Sequence, residues 1–414
     1  MGTTIRYMGA KRDIALRVAS VVETLPAGPC LDLFAGVCSV PEALSLTGRE
    51  TWCNDVQFYA GLIARALVTA SNPPPSPLQM MSALSSDFVE NLKSLQNRFA
   101  DALNEEHLAL RAGLPQAYSD VMRAWRHIGN DPDLAVEAKR LRCHPDSFPY
   151  RLATLTFSHG YFGLRQSISI DSLRYALDRA LTRGELSEEQ VRWGIVALLQ
   201  ATSCLASSPG HFAEYLHPHS ETAYSRIRSV RVKSMWLQFQ MELRRLTPIG
   251  SAAWRAGNRV YCGEADALLR TLSEEHKRPA VVYADPPYSE AQYSRYYHVL
   301  ETLTLYDYPA ATGLGRYRDK RYQTPFSNVG TVRKAFGDLV RNAASLGSAL
   351  VLSYPSNGLL RIAGFEPQAL LAEAYESVRI AIRLTKRHST LGASPGSAHN
   401  EVEELIYVAE GAKG

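Results

Sequence analysis

The run Ala280-Val281-Val282-Tyr283-Ala284 is apolar and rich in β-branched residues, and it stops abruptly at Asp285-Pro286-Pro287-Tyr288. Such a run reads as a strand buried on both faces. Two prolines cannot continue a ladder, so the acid stands at the strand end with a rigid turn and an aromatic ring behind it. In open α/β sheets, ligands bind outside the carboxyl ends of the strands. A nucleobase's exocyclic amine is a poor nucleophile because its lone pair is delocalised into the ring. Two acceptors aimed at its hydrogens would pull the nitrogen toward a tetrahedral shape and free that pair. Asp285 supplies one acceptor, the Pro286 carbonyl, held by the Pro286-Pro287 turn, supplies the other, and Tyr288 offers a face for a base taken out of its stack. The chemistry rests on positioning and electrostatics and needs no covalent nucleophile.

That corner requires a second strand end to present the transferred group, and the first 70 residues carry one. Ile14, Val18, Val21, Val22 and Leu25 mark an amphipathic helix that Pro26-Ala27-Gly28-Pro29 stops. The strand Cys30-Leu31-Asp32-Leu33-Phe34 runs into the small-residue turn Ala35-Gly36-Val37-Cys38. Ser39 and Glu42 have the spacing of a capping box opening the next helix, which Gly48 ends. A second strand, Thr51 to Asn54, closes on Asp55, which lies 23 residues (55 − 32) after Asp32. Strand, glycine turn, helix, strand, acid is the layout of a nucleotide-type cofactor site, where the acid commonly takes ribose hydroxyls. Only Gly36 stands where a full fingerprint has three glycines, so a plain βαβ packing turn fits this stretch as well.

Asn72-Pro73-Pro74-Pro75-Ser76-Pro77 reads as a domain crossing. From there to about 254 the pattern is mainly helical, with Phe88, Leu92, Leu95, Phe99 and Leu103 on one stripe and Leu173, Leu177 and Leu181 on another. Ser187 and Gln190 form a second capping-box pattern. Tyr161 to Ser167 mixes aromatics and hydrogen-bonding groups without clean periodicity. Arg226, Arg228, Arg231 and Lys233, near Tyr224 and Trp236, suit either a solvated face or a phosphate-tracking surface. After 258 the α/β pattern resumes with Arg259 to Cys262, Glu264 and Asp266, and the corner strand. The segment Gln292 to Asn328 follows, with Tyr293 to His298 and the cations Arg316, Arg318, Lys320 and Arg321. Tyr293 to His298 reads equally as the aromatic side of a core helix. Strands over 349–354, 378–384 and 404–408 close the chain, the last two as a hairpin.

The composition is that of a globular protein: 414 residues, 46% hydrophobic and 21% charged. No run approaches the roughly 18 apolar residues of a membrane span, and the first residues lack a signal peptide's apolar core, so a cytoplasmic protein with no membrane partner is expected. The six cysteines are scattered without CxxC spacing, which indicates neither a metal site nor a disulfide framework, and Cys143-His144 reads as a surface loop. A net charge of +4 permits a nucleic-acid partner without requiring one.

Taken together, these motifs resemble the adenine-specific DNA methyltransferases that use S-adenosylmethionine, in the group related to the bacterial Dam enzymes. Asp285-Pro286-Pro287-Tyr288 matches the family's catalytic DPPY motif, Leu31 to Gly36 its cofactor motif and Asn54-Asp55 the following acidic one. Arg6-Tyr7-Met8-Gly9-Ala10-Lys11 resembles the N-terminal cofactor motif, and Asp266 the acid that approaches the cofactor's adenine ring. Lys386 to Thr390 with Glu403 to Tyr407 is similar to the closing hairpin. One position departs from the pattern: Cys38 stands near where the family usually has a second glycine. The resemblance implies a Rossmann-like sheet with helices on both faces, formed by 1–70 and 255–414, and a mainly helical insertion, 71–254, as the target-recognition region. It implies catalysis by Asp285, Pro286, Pro287 and Tyr288, with S-adenosylmethionine held by Tyr7, Gly9, Lys11, Asp32, Phe34, Gly36, Asp55 and Asp266. Double-stranded DNA is then the substrate, gripped by Arg226, Arg228, Arg231, Lys233, Arg316, Arg318, Lys320 and Arg321, and a cognate restriction enzyme is an expected partner. An RNA adenine methyltransferase, or a DNA-binding protein that kept the fold without the chemistry, are the alternatives.

Overall fold

The computed structural model describes residues 14–388 and 400–413. In chain order the strands are β1 (Cys30–Asp32), β2 (Thr51–Asp55), β3 (Arg259–Cys262), β4 (Val281–Ala284), β5 (Ala311–Thr312), β6 (Tyr317–Arg318), β7 (Ala349–Pro355), β8 (Tyr375–His388) and β9 (Asn400–Ala412). The chain divides into two compact units. Among the described residues, one comprises 14–71, 249–293, 322–388 and 400–413, and the other 72–248 and 294–321.

The first unit is built on a seven-stranded sheet in the order β3-β2-β1-β4-β7-β9-β8. The five strands from β3 to β7 are parallel, while β9 runs antiparallel to both β7 and β8. Parallel strands need cover on both faces, and the sequence provides it by alternation. Leu31, Leu33, Val282, Ala284, Leu350 and Leu352 pack on one face with the helices Ala265–Glu274 and Val332–Ser345. Cys30, Val281, Tyr283, Ala349, Val351, Ile406 and Val408 pack on the other with the helices Ala15–Glu23 and Ser39–Ser45. The strands at the sheet centre, β1, β4 and β7, are buried throughout, whereas Arg259 of the edge strand β3 is exposed. The expected Rossmann-like architecture is present, with the last two strands as a hairpin that closes the sheet and longer than their apolar cores.

The helix expected to start with a Ser39 cap starts differently. Ser39 is its first helical residue, and the cap position belongs to Cys38, which makes no side-chain capping bond. The backbone enters from a left-handed turn at Cys38, so Ser39 already has helical geometry and its hydroxyl is not placed to cap.

The second unit is mainly helical. Its helix Glu188–Leu205 opens with the expected box, in which Ser187 Oγ accepts from Gln190 N at 3.3 Å and Gln190 Oε1 accepts from Ser187 N at 2.9 Å. Leu173 and Leu177 are buried in the helix Leu164–Thr182, but Leu181 in its last turn is 38% exposed. Asp171, fully buried, accepts from Ala153 N, Thr154 N, Thr154 Oγ1 and the Tyr306 hydroxyl. Burial pushes its carboxyl up to about 6 against the pull of those bonds. Tyr306 thereby anchors the segment 294–321 in this unit, with Arg174 donating to the carbonyls of Leu303 and Thr304. The expected division at 254/255 differs from the compact units in this segment, because its polar groups are satisfied inside the helical core. Tyr161, Phe162, Tyr297 and His298 are core residues there: the Tyr161 hydroxyl donates to Phe212 O and Gly315 O, and His298 Nε2 lies 2.9 Å from Phe212 O.

Candidate active site

The carboxyl ends of β1, β2 and β4 lie side by side, since Asp32 pairs in register with Cys53 and with Tyr283. The turn after β1 is fixed by backbone bonds to both neighbours, Leu33 N to Tyr283 O at 3.0 Å and Ala35 N to Asn54 O at 2.9 Å. Side chains finish it. Asp32 Oδ1 accepts from Phe34 N at 3.1 Å, and Asp55 accepts from Gly36 N at 3.0 Å and Gln57 N at 2.9 Å. Asn54 Nδ2 donates to Leu33 O and Gly263 O, tying the turn after β1 to the turn after β3. Gly36 has φ 52°, a conformation that suits its missing Cβ. Cys38 has φ 65° and is fully buried, so here a side chain occupies left-handed backbone.

The electrostatics of this turn are unusual. Asp32 is 2% exposed, and burial raises its carboxyl to about 8, aided by the charges of Asp285 and Asp55 and opposed by the Phe34 amide. Burial likewise raises Asp55 to about 6, with its amide donors holding it down. Three carboxyl groups from three strand ends therefore act on one another, and a cationic ligand would relieve them. Asp285 and Tyr288 are half-buried and Pro286 is buried. The Tyr288 carbonyl accepts from Leu359 N at 2.8 Å, and its ring packs against the core on that face.

Residues that the motifs did not single out complete the rim. Phe326 meets Phe34 edge to face at 5.7 Å, and the Tyr322 hydroxyl is pushed up to about 12 by burial and by the charges of Glu264 and, less, Asp55. Glu264 sits directly after the β3 turn, a strand-end position visible in the sequence, whereas Tyr322 and Phe326 lie in a polar, Pro-containing stretch without periodicity. Asp266 has its carboxylate engaged by Arg270 and Asn342, neighbours on the helices Ala265–Glu274 and Val332–Ser345. Tyr7, Gly9 and Lys11 lie outside the described residues, as do Ser389 and Thr390. No group of three metal-ligating side chains occurs among the described residues.

Residues 232–347 match the family described as D12 class N6 adenine-specific DNA methyltransferase, and Asp285 to Tyr288 fall inside that span. That stretch of the chain is similar to D12-class adenine methyltransferases. Named relatives agree. The chain is 27% identical over 203 residues to the Type II methyltransferase M.FokI of Planomicrobium okeanokoites, covering 48% of this chain and 27% of that protein. It is 22% identical over 259 residues to the modification methylase LlaI of Lactococcus lactis subsp. lactis, covering 63% and 38%. It is 24% identical over 205 residues to the Type II methyltransferase M.NlaIII of Neisseria lactamica, covering 49% and 53%. The matched regions span between 27% and 53% of the length of these relatives.

The cations expected to grip DNA fall into two groups. Arg226, Arg228, Lys233 and Lys320 are exposed, and Arg321 is half-buried over the Tyr317 ring. Arg318 is bidentate to Asp307. Arg231 and Arg316 require correction, because they are 2% and 3% exposed. Arg231 donates to the Tyr118 hydroxyl and to the carbonyls of Tyr161 and Gly160, and Arg316 to the carbonyls of Thr156 and Ser158. These guanidinium groups satisfy core carbonyls and present no surface to a phosphate.

Proposed function

We propose that this chain transfers a methyl group from S-adenosylmethionine to the N6 amine of adenine in a specific sequence of double-stranded DNA. The observation that carries the reading is the intact DPPY corner at the end of β4, one strand from the Asp32 to Gly36 turn. When bound, the cofactor supplies an electrophilic methyl carbon on a sulfonium. The turn fits such a cation, for its buried carboxyls Asp32 and Asp55 have raised pKa values that a positive charge would lower. Asp285 and the Pro286 carbonyl would accept hydrogen bonds from the two amine hydrogens, exposing the nitrogen lone pair; as the N–C bond forms, the C–S bond would break with its electron pair left on sulfur, and the nitrogen would pass one proton to Asp285 and from there to solvent. Tyr288 stacks against the base, which must leave the duplex to reach the corner. The helical region 71–254, with the exposed cations Arg226, Arg228 and Lys233, contacts the DNA around the target. A cognate restriction enzyme is the proposed partner.

The test is incorporation of labelled methyl groups into duplex DNA, with total RNA as the comparison substrate. Incorporation into DNA that Asp285→Ala abolishes supports the reading. Full activity of that variant would remove Asp285 from the chemistry.

A further inference from the structure

The helical unit holds a cavity that the methyl-transfer reading leaves unused. It measures about 360 Å³, and its lining residues run from Phe99 to His159. Phe99 stands where the helix Ala100–Ala112 begins, Trp125 where Pro115–Ala124 ends, and His159 in the turn after Leu152–Phe157. The Trp125 ring is the shared wall, with its centre 5.9 Å from that of Phe99 at 52° and 5.0 Å from that of His159 at 66°.

The polar groups of this wall are buried and unspent. His159 is 1% exposed, and among the described residues neither of its ring nitrogens has a hydrogen-bond partner. Nδ1 lies 3.7 Å from Glu106 Oε1, beyond bonding distance, and that carboxylate accepts from the amides of Leu164 and Arg165. The Nε1–H of Trp125 is likewise buried without an acceptor. Native proteins pair nearly all such groups, so two on one cavity wall point to a ligand. His159 also has φ 54°, left-handed backbone that side chains rarely adopt, and strain of this kind collects at ligand sites.

The chemistry of the lining narrows the ligand. Burial lowers the His159 imidazole to about 4, against the pull of Glu106 and helped by the charges of Arg231 and Arg316. A neutral imidazole carries one donor and one acceptor, as the edge of a nitrogen heterocycle does. Trp125 and Phe99 offer faces for a planar ring. Of the carboxylates on the lining, Asp131 is committed to Arg126 and to the amides of Asp133 and Leu134. Glu105 and Asp133 are exposed, where they suit an amine and repel a phosphate. The volume falls within the range of small-molecule sites.

We propose that this cavity binds an amine-bearing nucleobase, its ring against Trp125, its edge on His159 and its amine toward Glu105. The site shares no residue with the DPPY corner, and the proposal does not depend on the methyl-transfer reading. The base could come from a free nucleoside or from an unpaired position in a DNA strand, and the test separates these sources.

The experiment uses the full chain labelled with ¹⁵N-tryptophan, the indole N–H signal of Trp125 being the one among five that Trp125→Phe removes. The chain is titrated with cytidine, with uridine as the counterpart lacking the amine, and with a duplex carrying one bulged cytosine against the same duplex fully paired. Saturable movement of the Trp125 signal with cytidine assigns free nucleosides as the source; movement with the bulged duplex alone assigns the DNA strand. In either case Glu105→Gln, a change at an exposed side chain, should weaken binding roughly tenfold, as loss of one charge-assisted hydrogen bond does. A Trp125 signal that neither cytidine nor the bulged duplex moves, or that uridine moves as far as cytidine, overturns the inference and leaves the methyl-transfer reading untouched.

Discussion

Cys38 holds left-handed backbone, φ 65° and ψ 32°, at the entry to the helix Ser39–Ser45. A Cβ there costs about 1–2 kcal/mol, which glycine would avoid. The thiol offsets part of this by its complete burial, at zero exposure. Replacing Cys38 by Gly and by Ala separates the two effects, since both delete the thiol and only Ala keeps the strain. Chemical denaturation should place Cys38→Gly about 1 kcal/mol above Cys38→Ala, although Gly leaves the larger void; the reverse order would mean that the turn is unstrained. Asp32 gives a second prediction, in pH. Its carboxyl is raised from 3.8 to about 8 in the fold, so between those values the folded chain holds a proton that the unfolded chain has released. Stability from this group therefore falls as pH rises through that window. Asp32→Asn should melt higher than the unmodified chain at pH 8.5, with the gap closing toward pH 4, and a gap independent of pH would show that Asp32 is not held protonated.

Among the elements, the turns after β1 and β3 are joined by one side chain, Asn54, whose amide donates to Leu33 O and Gly263 O. Removing it in Asn54→Ala leaves two carbonyls short of a donor, a loss on the order of 1–3 kcal/mol. Because both turns belong to the proposed cofactor site, isothermal titration should show weaker S-adenosylmethionine binding in this variant, while unaltered binding would detach Asn54 from the site. The strands themselves were legible in the sequence, because an apolar run closed by an acid or by prolines has one reading in a parallel sheet. The helix start at Ser39 was not. The Ser39 and Glu42 spacing is that of a capping box, but the left-handed turn at Cys38 moves the cap one residue upstream, and backbone handedness at a non-glycine residue leaves no mark in the sequence. Phe326 and Tyr322 were invisible for another reason: their place beside Phe34 and Asp55 arises from long-range packing of a stretch without periodicity.

For the whole molecule, composition and charge allowed a nucleic-acid partner, and the run of cations in 226–233 suggested where. Burial then divided that run, since Arg231 is satisfied by Tyr118, Tyr161 and Gly160 while Arg226, Arg228 and Lys233 remain at the surface. Sequence spacing cannot separate the two, because a helix carries arginines to its core and its surface alike. Neutralising Arg226, Arg228 and Lys233 together should lower the slope of log affinity for DNA against log salt by up to about 0.9 for each lost phosphate contact. Arg231→Ala should instead destabilise the fold, by about 3 kcal/mol or more as core carbonyls lose a charged donor. An unchanged salt slope in the triple variant would make that surface a solvated face only. The central claim, that the DPPY corner methylates adenine in DNA, is tested most directly by digesting duplex DNA after incubation with S-adenosylmethionine and identifying the modified nucleoside. N6-methyladenine formed by the unmodified chain and absent with Asp285→Ala is the predicted result. Methyl groups found on another base, on RNA alone, or undiminished by loss of Asp285 would contradict it.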